Sequence, residues 1–285
     1  MLPPVLMLPP DQLHLWAVRT ELCQDPFLLA QYQRLMDETE WADWLRYRVE
    51  KKRHEYLLAR ALLRGVLSHY APIRPEQWRF SRSATGKPAI DWPQTLASLS
   101  NSPDLVPALE FNLSHTEGMI ICALSLEASL GIDVEDTTRP VEFLPLARRF
   151  FHPTETALLE SLPPEQLPLA FYRLWTLKEA YLKAVGAGLT ASLDSFSFRW
   201  PKTQLLPPIP LAMPSGWEPV VLNLPEQNAP QLVLFCQTSG SNPNHWQFRE
   251  FLLGGRFQVA LAVARPSQNP LQLILRQTIP LQTPP

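Results

Sequence analysis

Apolar residues recur along this chain with two different periods, and the alternation between them predicts its elements. From about Phe27 to Tyr70 the spacing is helical, clearest in "EYLLARALLRGVLSHY", which holds no proline and no glycine before Gly65. Pro72 and Pro75 follow and end that prediction. A second helix is predicted from Leu169 to Val185, where Phe171, Leu174, Tyr181, Leu182 and Val185 form an apolar stripe. Glu179 and Lys183, four apart, share another face with Tyr172, and the glycines of "GAG" stop the helix. Strands are predicted at "LHLWAVRT", "SFSFRW", "QLVLFCQ", "WQFREFLL" and "RFQVALAVA", the last two flanking a hairpin turn at Gly254 and Gly255. "MIICALSLEASLGIDVE" predicts two short strands joined by a turn around Ala128, and "EFNLSHTEG" before it reads as a loop. Helices and strands do not alternate regularly, so the prediction is an α+β fold, with a junction between two halves, 1–127 and 128–285.

Composition changes this picture little. A chain of 285 residues can form one large or two modest domains with a genuine core. The 31 prolines crowd "MLPPVLMLPP", the stretch from Trp200 to Pro230 and the tail after Pro266, which marks these as loops. The N-terminal run has no basic region and is broken by prolines, unlike a signal peptide, and no apolar stretch reaches membrane-spanning length. A cytoplasmic protein with no membrane partner is expected. Cys23, Cys122 and Cys236 form no CxxC pair, which argues against a zinc site or a disulfide framework. The formal net charge of -2 gives no sign of nucleic acid, so any anion site must be locally basic.

The chemistry is concentrated in short segments. In "LGIDVEDT" a strand would point Asp133 and Glu135 the same way, with Ile132 and Val134 toward the core. Two such carboxylates mark either a solvated strand end or a hard divalent cation, for which a third protein oxygen would help decide. Glu179 could be that oxygen, although with Lys183 it could equally form an exposed i,i+4 ion pair. "ATGKPAI" lacks the earlier glycine of a phosphate-binding loop and has Pro88 where the hydroxyl should be, so Lys87 is a point charge in a tight turn. Ser114 and His115 are sequence neighbours without a nucleophile elbow, which favours anion binding over a serine nucleophile.

The order "GKP", "FNLSH", "GIDVE", "FFHPTE", "WTLKEAYLKAVGAGL" resembles the 4'-phosphopantetheinyl transferase superfamily in its long class, over roughly residues 53–197. That resemblance implies two similar α+β halves related by a pseudo-twofold, with coenzyme A in the cleft between them. It implies transfer of the phosphopantetheine arm to a serine of an apo acyl or peptidyl carrier protein, with release of 3',5'-ADP. It further implies Mg²⁺ held by Asp133, Glu135 and Glu179, the pyrophosphate met by Lys183, and further coenzyme A contacts at Lys178 and Thr137. Lys87, His115 and Ser114 would hold the adenosine 3'-phosphate end. Glu179 is the implied base, with Glu155 able to share that role. The family's basic contact in "EKKRHEYLLARALLR" is expected at Arg53, with Lys51, Lys52 and Arg60 as alternatives and Glu55 where some relatives carry a cation. Arg148 and Arg149 in "LARRFF" are the expected platform for an acidic carrier, and a monomer is expected. A catalytically inactive binding relative and a metal-dependent phosphohydrolase are the alternative readings.

Overall fold

The structure, a computed structural model, describes residues 5–99, 107–126, 129–187, 192–199, 208–222, 224, 231–234, 245–265 and 271–282. The first half runs β1 (Gln12–Arg19), α1 (Pro26–Gln33), α2 (Glu38–Arg46), α3 (Glu50–Leu67), β2 (Phe80–Arg82), β3 (Pro88–Ile90), α4 (Trp92–Ala97), β4 (Leu109–Thr116) and β5 (Met119–Leu126). The second runs β6 (Leu130–Asp136), α5 (Phe143–Phe150), α6 (Pro153–Glu160), α7 (Leu167–Val185), β7 (Phe196–Arg199), β8 (Ile209–Leu211), β9 (Val220–Leu222), β10 (Gln231–Leu234), β11 (Trp246–Leu253), β12 (Phe257–Ala264) and β13 (Gln272–Gln277).

Two sheets of order β4-β5-β1-β13-β9 and β6-β12-β11-β8 face each other in an α+β fold. Between them lies an apolar layer to which Leu13, Leu15, Ile121 and Ala123 contribute from one side and Ile132, Val134, Val259 and Leu261 from the other. The outer face of the first sheet carries Trp16, Val18 and Cys122 against Leu58, Leu62 and Val66 of α3. The outer face of the second carries Ala260 and Ala262 against Leu174, Leu177 and Ala180 of α7. The layers are therefore helix, sheet, sheet, helix. Strands buried on both faces have no polar side to show, which is why "LHLWAV" and "MIICALSL" read as apolar runs without strict alternation.

Three expectations need correction. The single helix expected over 27–70 is three, because Asp25 before Pro26 caps α1 and Asp37 forms a capping box with Glu40 that restarts the chain as α2. The "FNLSHT" segment is strand β4 rather than a loop. The sheets also do not divide at the chain's midpoint, since β13 returns to pair in parallel with β1 and β9 pairs with β13. Residues 127–128 and Cys236 lie outside the described residues, while Cys23 and Cys122 are buried free thiols. Gly254 and Gly255 have φ of 60° and 66°, which suits a tight hairpin turn between β11 and β12.

One contact sets the position of α7. At Gly131 an added Cβ would lie 2.0 Å from the Ala180 carbonyl oxygen and 2.5 Å from the Ala184 nitrogen, so β6 and α7 approach backbone to backbone.

Candidate active site

Side-chain alternation along β6 sends Ile132 and Val134 into the inter-sheet core, leaving Asp133 and Glu135 to the face toward α7. There Lys183 Nζ donates to Asp133 Oδ1 at 2.7 Å, to Ser114 Oγ at 2.9 Å and to the Ile132 carbonyl at 3.1 Å. Ser114 Oγ donates to the same Asp133 oxygen at 2.8 Å, while Asp133 Oδ2 is buried without a hydrogen-bond partner. Burial, and then the neighbouring Asp133 charge, push the Glu135 carboxyl up to about 7. The same two causes raise Glu179, with Lys183 opposing them. Three crowded carboxylates with an orphaned buried oxygen match the donor set of a hard divalent cation. Among the described residues no group of three or more His, Cys, Asp or Glu side chains is disposed to hold a metal ion as it stands, and Lys183 is ion-paired with Asp133.

A polar stripe on β4 supports this cluster. Asn112, Ser114 and Thr116 share one side of the strand. Asn112 Oδ1 accepts from the Ile132 amide at 2.9 Å, Ser114 Oγ accepts from the Val134 amide at 3.3 Å, and Thr116 Oγ1 donates to Glu135 at 3.4 Å. The sequence reading missed Asn112 and Thr116. The N-x-S-x-T alternation in "FNLSHT" was the available signal.

Beside the cluster a cleft of about 290 Å³ is lined from the first half by Thr85, Lys87 and Asn112 and from the second by Glu179, Lys183 and Gly186. Lys87 Nζ donates to the carbonyls of Ala184, at 3.0 Å, and Leu130, at 3.3 Å, so the β2–β3 turn of one half caps the α7 C-terminus of the other. Gly186 makes this possible by ending α7 in the left-handed conformation.

Comparison with known proteins gives the family. A family model described as "4'-phosphopantetheinyl transferase superfamily" matches residues 129–262, and one described as "4'-phosphopantetheinyl transferase, N-terminal" matches residues 25–127. The 4'-phosphopantetheinyl transferase HetI of a Nostoc species is 32% identical over 86% of this chain and 96% of its own. This chain belongs to the 4'-phosphopantetheinyl transferase superfamily. The transferase Sfp of Bacillus subtilis is 38% identical over 51% of this chain and 58% of its own. A human L-aminoadipate-semialdehyde dehydrogenase-phosphopantetheinyl transferase is 28% identical over 74% and 61%. The solved holo-[acyl-carrier-protein] synthase of Thermotoga maritima covers 49% of this chain and 64% of its own at 20% identity, but its TM-score of 0.26 carries no argument.

In this transferase several expected contacts lie elsewhere. Lys178 and Glu155 form a buried ion pair at 2.7 Å between α7 and α6. Lys178 also donates to the Leu193 and Phe196 carbonyls, both at 2.8 Å, and Glu155 accepts from the Phe198 and His152 amides at 2.8 and 3.2 Å. Each is thus engaged inside the helical layer. Arg53 donates to the Tyr47 carbonyl at 2.8 Å and lies over the Trp44 ring. The adjacent helix face instead brings Lys52 to Glu55 at 2.7 Å, with His115 Nδ1 3.6 Å from the same carboxylate, and Arg60 also acts on His115. Thr137 donates through its amide and hydroxyl to the Arg256 carbonyl at 3.0 and 2.8 Å, at the end of β6. Of the expected platform, Arg148 is ion-paired with Glu160 at 2.8 Å and Arg149 lies over Phe150.

Proposed function

We propose that this chain moves the 4'-phosphopantetheine arm of coenzyme A to a serine of an apo acyl or peptidyl carrier protein, with Mg²⁺ and release of 3',5'-ADP. The observation that carries the proposal is the crowding of Asp133, Glu135 and Glu179 beside Lys183 at a cleft walled by both halves. Asp133, Glu135 and Glu179 would hold the cation, which when bound supplies Lewis-acid charge at the phosphate oxygens. Lys183 offers its ammonium group to the diphosphate of coenzyme A, and Lys87, Ser114 and His115, with Lys52 and Arg60 beside His115, are the groups proposed for its 3'-phosphate end.

Glu179, which lines the cleft, would take the proton of the serine hydroxyl. The serine oxygen bonds to the pantetheine-side phosphorus while the bond to the bridging oxygen breaks, and that oxygen departs on 3',5'-ADP. No helix among the described residues is long and apolar enough to cross a membrane, and the proposed setting is the cytoplasm, where a monomer meets its carrier.

The test is mass spectrometry after mixing the chain with coenzyme A, Mg²⁺ and a panel of apo carriers from fatty-acid, polyketide and nonribosomal-peptide systems. A gain of one phosphopantetheine on a carrier is the expected result. Unchanged carriers throughout would point to a binding relative, and hydrolysed coenzyme A without carrier loading would point to a phosphohydrolase.

A further inference from the structure

Asp133 has two oxygens in opposite situations. Oδ1 is saturated by Lys183 Nζ and the Ser114 hydroxyl, whereas Oδ2 is buried and has no partner. The ammonium is equally committed, since Asp133, Ser114 and the Ile132 carbonyl account for the three protons it can donate. This pair is sheltered, with side-chain exposures of 29% for Lys183 and 7% for Asp133, so charges here are weakly screened and a second cation beside the ammonium would be repelled strongly. The carboxylates therefore already have an internal counter-ion.

We infer that Lys183 competes with the divalent cation for Asp133, so that the free chain binds the metal weakly and takes it up together with a diphosphate. The inference rests on the proposed role of the three carboxylates. An entering diphosphate gives the ammonium new acceptors, and Lys183, which lines the same cleft, transfers to them from Asp133. Asp133, relieved of the ammonium, would then be free to help hold the cation. Ser114 supports the exchange because its hydroxyl touches both partners and can keep its hydrogen bond to Asp133 when the ammonium leaves. Metal and substrate binding are coupled through a residue of the chain as well as through direct chelation, and such coupling is reciprocal.

Direct chelation by the diphosphate also raises metal affinity, so the deciding measurement is made without coenzyme A. Mn²⁺ is titrated into the full chain and free Mn²⁺ is followed by electron paramagnetic resonance, for wild type, Lys183→Met, Lys183→Gln and Lys183→Arg, with circular dichroism to confirm folding. Two neutral variants are used so that misfolding of one leaves the other to decide. The expectation is that the neutral variants bind Mn²⁺ at least about tenfold more tightly than wild type, within the ordinary range of coupling between sites. Lys183→Arg, which keeps the charge, should stay weak. Equal affinity in wild type and the neutral variants would overturn the competition while leaving the carboxylate site intact. If Mn²⁺ binds to none of the proteins, with or without coenzyme A, the carboxylate site itself is refuted and the inference falls with it.

Discussion

Replacing Gly131 by alanine tests whether the approach of β6 to α7 sets the site. The new Cβ would sit 2.0 Å from the Ala180 oxygen and 2.5 Å from the Ala184 nitrogen, whereas ordinary contact begins at 3.4 Å. Both neighbours are backbone, so no side chain can swing aside. Relief along the shorter contact needs a separation of about 1.4 Å, the difference between 3.4 and 2.0. Overpacking costs roughly 1–3 kcal/mol, and rigid neighbours place this case toward the upper end. At about 2–4 °C per kcal/mol, the melting temperature should drop by roughly 5–10 °C. The same movement carries Lys183 and Glu179 away from Asp133, and a displacement of about 1 Å can cost on the order of 10²-fold in rate. Thermal melting by circular dichroism and the rate of carrier loading are the two assays. Gly65→Ala is the control, because its nearest non-local atom is 3.6 Å away and alanine favours the α3 helix there. A Gly131→Ala protein that melts and reacts like wild type would refute the argument.

Further outcomes follow from other parts of the molecule. Lys178→Met leaves Glu155 buried without its cation and should cost about 3–5 kcal/mol, whereas Lys178→Met combined with Glu155→Gln should recover part of it, both read by chemical denaturation. Recovery would confirm positioning, and a double variant no better than the single one would contradict it. Burial, and then the Arg276 cation, hold His14 and His69 down at about 4 against an ordinary 6.5. The unfolded chain therefore takes up protons first as pH falls, and the contribution of the neutral rings, complete above about 6.5, is lost progressively toward 4. Melting temperatures measured across that window should fall, less steeply in His69→Phe, and a flat profile would count against it. At the carrier platform Arg149→Glu should raise the carrier KM more than Arg148→Glu, because Glu160 already neutralises Arg148. Equal effects in steady-state kinetics would show that the ion pair does not matter there.

What was legible in the sequence depended on whether local geometry decides it. Asp133 and Glu135 were readable as a pair because a strand repeats every two residues and Ile132 and Val134 had to enter the core. Glu179, Lys183 and Tyr172 were readable as one face because a helix repeats every 3.6, and Tyr172 does reach the Arg139 carbonyl near Glu135. Adjacent helical residues are a different problem. Lys178 and Glu179 differ by 100° in direction, and only the packing of α6 and β7 reveals which of them enters the layer and which the cleft. Val185, expected on the apolar stripe, is 40% exposed at the end of α7. The return of β13 to β1 could not be read at all, since those paired residues are some 260 positions apart.

The junction of the two sheets explains why stability and chemistry meet at Ser114. β4 is an edge of the first sheet and β6 an edge of the second, and bare edges expose unpaired amides that invite pairing with other chains. Full backbone pairing between them would have merged the sheets. Instead, the outward amides of Ile132 and Val134 are satisfied by Asn112 and Ser114 side chains, so the edge is closed while the sheets remain separate. A side-chain hydroxyl can do more than a backbone carbonyl in that position. Ser114 accepts from the Val134 amide and from Lys183 and donates to Asp133, using both its acceptor capacity and its one proton. The atom that closes the edge therefore also bridges the carboxylate and its ammonium, and the seam between the two sheets becomes the place where these charges are held in register.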